Sequence, residues 1–179
     1  MRLKLLILLI LVHITPLLLA QSKVQTSDEI NWLSFQQAIE MNKVHPKKIF
    51  IDMYTEWCGW CKKLDVTTYK DKRVVNYLNE KYYAVRMDAE MKDTILYEGI
   101  VFVNPEPTKS RSTHQIAAAL MGNKLSYPTL VYLDENRNLL SQVPGYMTAD
   151  DLMPVLIYFG DNNQSRITWE EFQKTYSDK

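Results

Sequence analysis

The stretch IDMYTEWCGWCK, residues 51–62, contains both cysteines of this chain, Cys58 and Cys61. Two residues separate the cysteines, a tryptophan precedes each of them, and Lys62 and Lys63 follow. A pair with this spacing suits three roles: a redox-active pair, part of a metal site, or a short structural disulfide.

The rest of the chain gives little support to a metal site or a structural disulfide. A structural zinc site needs four ligands, and beyond the first twenty residues the only histidines are His45 and His114. We instead expect a loop position for His45 and the start of a helix for His114. A disulfide that closes so short a loop removes little entropy from the unfolded chain. We therefore favour a redox-active pair and expect no metal.

The first twenty residues differ from the sequence that follows them. Arg2 and Lys4 form a short basic start, residues 5–12 are an unbroken aliphatic run, and Ala20 precedes polar sequence. This layout predicts a secretory signal peptide over residues 1–20. The alternative is an uncleaved segment that tethers the protein to a membrane, although the apolar run is shorter than the ~20 residues that span a bilayer.

Export has consequences for location and for the cysteines. We expect the mature protein in the periplasm or another extracytoplasmic space, or secreted, and without a stable membrane span. Thiols can oxidise in such a compartment, but two cysteines do not make a stabilising framework. They are better interpreted as a working redox pair.

The composition fits one ordinary domain. The 179 residues carry 21 basic and 21 acidic side chains, so the formal net charge is zero. Nucleic-acid binding would call for a concentrated basic face, and this balance does not favour it. A chain of this length buries a sizeable core without disulfides. We expect a monomer.

Hydrophobic patterns and capping residues predict an alternation of strands and helices. A strand at 48–54, a helix that begins within the cysteine motif and a strand at 83–88 form a βαβ unit, whose strands should be parallel. Residues 95–103 suit a hairpin that turns at 98–99. The other predicted elements are helices at 34–44, 71–80, 113–121, 148–159 and 169–176, and an antiparallel pair of strands at 129–134 and 139–143.

Two stretches together resemble the thioredoxin superfamily. IDMYTEWCGWCK is similar to the active-site stretch of that family, and SYPTLVYL, residues 126–133, resembles its cis-proline strand. The continuation of the motif through KKLD and TTY, within residues 62–69, is similar to the exported thioredoxin-related branch. The resemblance implies an α/β thioredoxin fold, with a central mixed β-sheet flanked by helices.

The resemblance also implies a division of the chain. It covers residues 30–160, and residues 92–120 form an insertion before the cis-proline strand. Residues 21–29 are an N-terminal extension and residues 161–179 a C-terminal extension. The insertion either selects a partner or extends the edge of the sheet.

The family's chemistry assigns different tasks to the two cysteines. Cys58, at a helix start, is the expected nucleophile, because the helix dipole favours its thiolate. Cys61 is the expected resolving thiol, which releases the mixed disulfide. The nucleophile should be exposed and the resolving thiol shielded.

The implied activity is thiol–disulfide exchange outside the cytoplasm. The partners would be exported protein thiols or disulfides and a further redox partner, with no cofactor besides the Cys58–Cys61 disulfide. Reduction or isomerisation is the preferred direction. The alternatives are oxidation, and a protein-binding module whose cysteines have no essential turnover.

Asp52 matches the family's buried carboxylate, which takes a proton from the resolving thiol. The alternative is an aspartate at a strand end, in a turn. The lysine partner that the family often supplies would fall at Ala84. We therefore expect the proton affinity of Asp52 to differ from that of the family's carboxylate. Arg86 is not an obvious replacement for the lysine.

Four more residues are expected to contact a substrate. The resemblance implies a cis Tyr127–Pro128 bond that presents the Tyr127 backbone beside Cys58, where a substrate pairs as an added strand. Trp57 and Trp60 should flank the sulfurs and offer apolar surface to a partner. The alternative for both tryptophans is packing in the core.

Overall fold

A computed structural model describes residues 27–122 and 124–177. The predicted signal peptide and most of the N-terminal extension lie outside these residues. The described helices and strands are, in chain order, α1 (Phe35–Val44), β1 (Lys48–Tyr54), α2 (Gly59–Val66), α3 (Lys72–Lys81), β2 (Tyr82–Asp88), β3 (Ile95–Tyr97), β4 (Ile100–Phe102), α4 (Gln115–Leu120), β5 (Thr129–Leu133), β6 (Leu139–Pro144), α5 (Ala149–Gly160) and α6 (Trp169–Ser177).

The central sheet has four strands in the order β2-β1-β5-β6. β1 is parallel to β2 and antiparallel to β5, and β6 is antiparallel to β5. The predicted βαβ unit and the predicted antiparallel pair are therefore confirmed. The sheet is mixed, as the resemblance implied.

Helices cover both faces of the sheet, and β1 contributes to both layers of the core. Phe50 packs in one cluster with side chains of α2, α3, α5 and α6. Ile49 and Ile51 pack in the other cluster, with side chains of α1 and α4. Alternate residues of a strand point to opposite faces, which explains why this strand is apolar along nearly its whole length. The C-terminal end of β1 leads directly into the cysteine motif.

The insertion folds as a unit beside the main sheet. β3 and β4 pair as an antiparallel sheet of their own, so they do not extend the edge of the central sheet. Glu98 and Gly99 both have positive φ, 50° and 76°. Two central residues with positive φ are typical of a tight hairpin turn whose twist matches that of its strands. The predicted hairpin is confirmed.

The first helix begins with the capping box that the sequence predicts. The Gln37 backbone N–H donates to Ser34 Oγ at 3.2 Å, and Gln37 Oε1 accepts from the Ser34 backbone N–H at 2.8 Å. Each side chain thus satisfies a backbone donor that the helix leaves unpaired.

We expect Ser34→Ala to lower the free energy of unfolding by about 1 kcal/mol, because the variant leaves the Gln37 N–H without its acceptor. Urea denaturation followed by circular dichroism measures this change. Ser110→Ala is the control, since Ser110 is exposed and has no hydrogen bond within the described part of the chain. Equal losses in the two variants would contradict the role given to the cap.

Candidate active site

Cys58 and Cys61 form a disulfide at the start of α2, with an S–S distance of 2.08 Å and a Cα–Cα distance of 5.3 Å. Cys58 is the N-cap of the helix, and its Sγ accepts a hydrogen bond from the Cys61 backbone N–H at 3.1 Å. A turn before the helix is closed by the Cys58 N–H, which donates to the Thr55 carbonyl at 3.1 Å. The Cys58 sulfur therefore sits where the helix dipole and free N–H groups favour a thiolate.

Both cysteines are buried in this disulfide form. Cys58 is 4% exposed and Cys61 is 1% exposed. The expectation of an exposed Cys58 is wrong for this form, whereas Cys61 is shielded as expected. The disulfide joins the Cys58 sulfur to Cys61, which lies in the core, and so draws it inward. A partner sulfur must therefore reach a cysteine of which only 4% is exposed in this form.

Trp57, the residue before Cys58, is 48% exposed. The Arg111 guanidinium lies 4.8 Å from the Trp57 ring centroid, and Trp57 Nε1 donates to Glu90 Oε1 at 2.8 Å. The Tyr127 ring meets the Trp57 ring edge-on, with centroids 5.7 Å apart. These contacts fix an exposed indole in place at the rim of the site.

Trp60 is 57% exposed. Its ring lies 5.4 Å from the Tyr146 ring. Lys63 Nζ is 4.9 Å from the Trp60 ring centroid and 4.8 Å from that of Tyr146, within the range of a cation–π contact. Core packing is therefore the wrong interpretation for both tryptophans.

The Tyr127–Pro128 peptide bond is cis, as the resemblance implied. The Gly145 N–H donates to the Pro128 carbonyl at 2.8 Å, which anchors this segment to the end of β6. Tyr127 is partly buried, and its hydroxyl lies 3.3 Å from Thr113 Oγ1 in the insertion. The cis segment, Trp57 and the insertion thus meet beside the cysteine motif.

Asp52 lies in the middle of the sheet and is fully buried. The sequence expectation that Arg86 does not replace the family's lysine is wrong. Arg86 Nε lies 3.2 Å from Asp52 Oδ2. The strand register explains this, because Asp52 on β1 pairs with Arg86 on β2, whereas Ala84 pairs with Phe50.

The buried carboxyl of Asp52 has an altered proton affinity. Burial raises its pKa from 3.8 to about 7, and the negative charge of Asp65 acts in the same direction. The positive charge of Arg86 and the hydroxyl of Tyr69 oppose the rise in pKa. Although Arg86 is at ion-pair distance, neither carboxyl oxygen has a partner with hydrogen-bond geometry among the described residues. Asp52 therefore can gain or lose a proton near neutral pH.

Asp65 was not identified from the sequence. Its two carboxylate oxygens accept from Arg86 Nη1 and Nη2, the second at 2.8 Å. The flat face of the guanidinium lies 4.4 Å from the Tyr54 ring centroid. A cavity of about 280 Å³ borders this ion pair and also reaches Cys61; it is lined by Tyr54, Thr55, Glu56, Cys61, Lys62, Asp65 and Arg86.

The two histidines among the described residues, His45 and His114, lie at the ends of helices. His45 is the C-cap of α1, and His114 is the buried N-cap of α4. Within residues 27–122 and 124–177, no group of three or more histidine, cysteine or acidic side chains is arranged to hold a metal ion. In the same part of the chain, no helix combines the length and apolar character needed to cross a membrane.

A mixed sheet, a disulfide at the N-terminus of the following helix and a cis-proline segment together define a thioredoxin-fold protein with a Cys-x-x-Cys pair. The family model described as "Thioredoxin-like domain" matches residues 35–160. The match covers more than half of the chain, and the protein belongs to this family.

Individual relatives are distant. The thiol:disulfide interchange protein DsbD of Campylobacter jejuni strain RM1221 is 24% identical over 126 residues, which are 70% of this chain but 18% of that protein. The DsbD protein of Yersinia enterocolitica is 24% identical over 134 residues, 70% of this chain and 20% of that protein. This chain thus spans about a fifth of the length of these curated relatives.

Two solved structures show a similar fold. A thioredoxin-fold protein from Helicobacter pylori superposes with a TM-score of 0.57 at 17% identity and covers 87% of this chain and 91% of its own. A putative disulphide-isomerase from Bacteroides thetaiotaomicron gives a TM-score of 0.52 at 25% identity, with 74% and 93% coverage.

Proposed function

We propose that this protein is an exported thiol–disulfide oxidoreductase that exchanges disulfides with protein substrates through Cys58 and Cys61. The observation that carries the proposal is the pairing of the two sulfurs at the N-terminus of α2. The names of the DsbD relatives and of the putative disulphide-isomerase support the same class of reaction. Export rests on the signal-like pattern of residues 1–20.

In the reducing direction the reaction has two exchange steps. The Cys58 thiolate attacks a substrate disulfide, forms a mixed disulfide, and one substrate thiolate leaves. The Cys61 thiolate then attacks the Cys58 sulfur, and the Cys58–Cys61 bond forms as the bond to the second substrate sulfur breaks. Two electrons and two protons thus pass from the cysteine pair to the substrate.

The second step requires a base for the Cys61 thiol, and Asp52 is our candidate. A carboxyl with a pKa of about 7 is suited to accept a proton near neutral pH and to return it in the reverse direction. The Cys61 thiol is shielded from bulk water, so an internal acceptor has an advantage over solvent.

Substrate contact is proposed for the rim of the site. The cis segment Tyr127–Pro128 offers backbone to an extended substrate chain. Trp57 and Trp60 each precede a cysteine, and their exposed rings provide apolar area, as aromatic side chains commonly do at interfaces. This arrangement suits an unfolded or flexible protein segment that carries a cysteine.

Reduction or isomerisation is the direction we favour, with oxidation as the alternative. For a two-electron couple ~30 mV corresponds to about 1.4 kcal/mol, so small differences in thiolate stabilisation set the direction. Equilibration of the cysteine pair with glutathione buffers decides between them. A strongly reducing potential supports a reductase, and a potential well above that of glutathione would support an oxidase.

We expect Cys61→Ser to trap substrates as mixed disulfides through Cys58, because the variant keeps the nucleophile and lacks the thiol that releases the captured chain. Non-reducing electrophoresis of an exported-protein extract, followed by mass spectrometry of the Cys58 peptide, measures the adducts. Cys58→Ser is the matched control, since it also lacks the disulfide but has no nucleophile at the helix start. A complete lack of adducts with Cys61→Ser would count against the proposed function.

A further inference from the structure

The guanidinium of Arg86 contacts one carboxylate and two aromatic rings. Asp65 accepts from both terminal nitrogens, and the rings of Tyr54 and Trp32 lie over the guanidinium at 4.4 and 5.7 Å from their centroids. The Nε edge is left to face Asp52, at 3.2 Å from Oδ2. An arginine whose fork is engaged by one carboxylate has little freedom to turn that fork towards another.

Arg86 lies close to two carboxylates, one partly exposed and one fully buried. Asp65 on α2 is partly exposed, with 35% of its side chain accessible, whereas Asp52 is fully buried. The groups that act on Asp52 come from three elements: Arg86 from β2, Asp65 from α2, and the Tyr69 hydroxyl from the turn after α2. On the remaining side β5 offers the apolar Leu130.

This ion pair also borders the resolving cysteine. Arg86, Asp65 and Cys61 line the same cavity of about 280 Å³. A change in where the guanidinium points would therefore alter both the charge felt by Asp52 and the surroundings of the sulfur that exchanges a proton.

We propose that Asp65 is a positioning residue: it holds the fork of Arg86 away from Asp52 and thereby limits how strongly the arginine favours the ionised carboxylate. Without Asp65, the guanidinium turns towards Asp52 and pairs with it more closely. Without Arg86, Asp52 has no cationic partner in the described part of the chain. Loss of Asp65 therefore favours the ionised form of Asp52, and loss of Arg86 disfavours it.

The test is a direct ¹³C NMR titration of the Asp52 carboxyl in the disulfide form of the full chain. An opposite charge within hydrogen-bonding range shifts a carboxyl pKa by ~1–3 pH units. We expect Arg86→Gln to raise the Asp52 midpoint by about 1 pH unit or more and Asp65→Asn to lower it by about 1 pH unit. Shifts in the same direction, or no shift with Asp65→Asn, would overturn the proposal.

A double variant separates positioning from simple repulsion between carboxylates. If Asp65 acts through Arg86, Asp65→Asn shifts the Asp52 midpoint less in the Arg86→Gln background than in the wild type. An equal shift in both backgrounds would reduce Asp65 to an ordinary neighbouring charge. Glu56→Gln is the matched control, because Glu56 lines the same cavity but makes no ion pair with Arg86. Asp65 is partly exposed, so its variant should fold even if Arg86→Gln is unstable.

The kinetic consequence rests on the proposed function, whereas the NMR titration does not. The rate at which Cys61 releases a Cys58 mixed disulfide should rise with pH around the Asp52 midpoint. The midpoint of this rise in rate should shift to lower pH with Asp65→Asn. If Asp65→Asn shifts the NMR midpoint of Asp52 but not the pH dependence of the release rate, Asp52 has no role in the resolving step. The proposal that Asp65 positions Arg86 would still hold. If Asp65→Asn shifts the pH dependence of the release rate but not the NMR midpoint of Asp52, the proposed role of Asp65 is overturned.

Discussion

Cys58→Ser is expected to reduce disulfide exchange by more than ~1,000-fold, to the rate of the uncatalysed reaction, because a serine hydroxyl does not attack a disulfide at neutral pH. Cys58 is the N-cap of α2, and serine is a good N-cap residue, so the helix should still form. Reduction of a protein disulfide by dithiothreitol, with the protein in catalytic amount, measures the loss.

The outcome of this substitution separates an enzyme from a binding module. Cys61→Ser is the control for loss of the disulfide, since it lacks the disulfide but keeps the Cys58 nucleophile and forms an adduct through it. Equal activity of Cys58→Ser and the wild type would contradict the role of Cys58 as nucleophile. It would support a thioredoxin-fold protein that binds partners without using its cysteines.

The second large effect concerns stability and comes from Asp52. Its pKa rises from 3.8 to about 7 on folding, so the native state holds its proton more tightly than the unfolded chain does. The stability that this provides is fully present below pH 3.8 and is lost as the pH rises through about 7. A rise of this size corresponds to about 4 kcal/mol.

We therefore expect Asp52→Asn to gain stability relative to the wild type as the pH rises. The difference in free energy of unfolding should grow by up to about 4 kcal/mol between pH 3 and pH 8. Denaturation of the disulfide forms across this range measures it. Asp93→Asn is the control, because Asp93 is exposed and its carboxylate has no hydrogen bond in the described part of the chain. Parallel curves for Asp52→Asn and the wild type would mean that Asp52 does not titrate in this range.

The fold was predictable because two distant motifs occur in the right order. The cysteine stretch and the segment around Pro128 are local patterns, and each determines the conformation of its own neighbourhood. The same holds for the capping box at Ser34 and for the turn at Glu98 and Gly99, where local chemistry suffices. Element type was therefore accessible from the sequence.

The surroundings of the sulfurs were harder to predict, because they depend on contacts between distant parts of the chain. The resemblance places the family's lysine at Ala84, whereas strand register brings Arg86 opposite Asp52. Glu90, Arg111 and Tyr146 come from separate loops and reach the tryptophans only in the folded chain.

For two other residues near the site, Lys63 and Asp65, the spacing along the chain predicts a neighbour. Lys63 follows Trp60 by three residues on α2, a spacing that places two side chains on the same face of a helix. Asp65 follows Cys61 by four residues, which also indicates a shared face. Spacing along the chain does not predict where Arg86 lies, and so it does not predict the ion pair between Asp65 and Arg86.

We expect the Cys58–Cys61 pair to gain and lose two electrons in the folded protein. The most direct measurement is a single turnover, in which fully reduced protein is mixed with an equal amount of a protein disulfide and quenched by thiol alkylation. We expect the intact mass to show the Cys58–Cys61 disulfide re-formed, with two alkylated thiols on each substrate molecule. An unchanged substrate with a fully alkylated cysteine pair, together with no transfer of the disulfide from oxidised protein to a reduced substrate in the reverse reaction, would contradict this exchange.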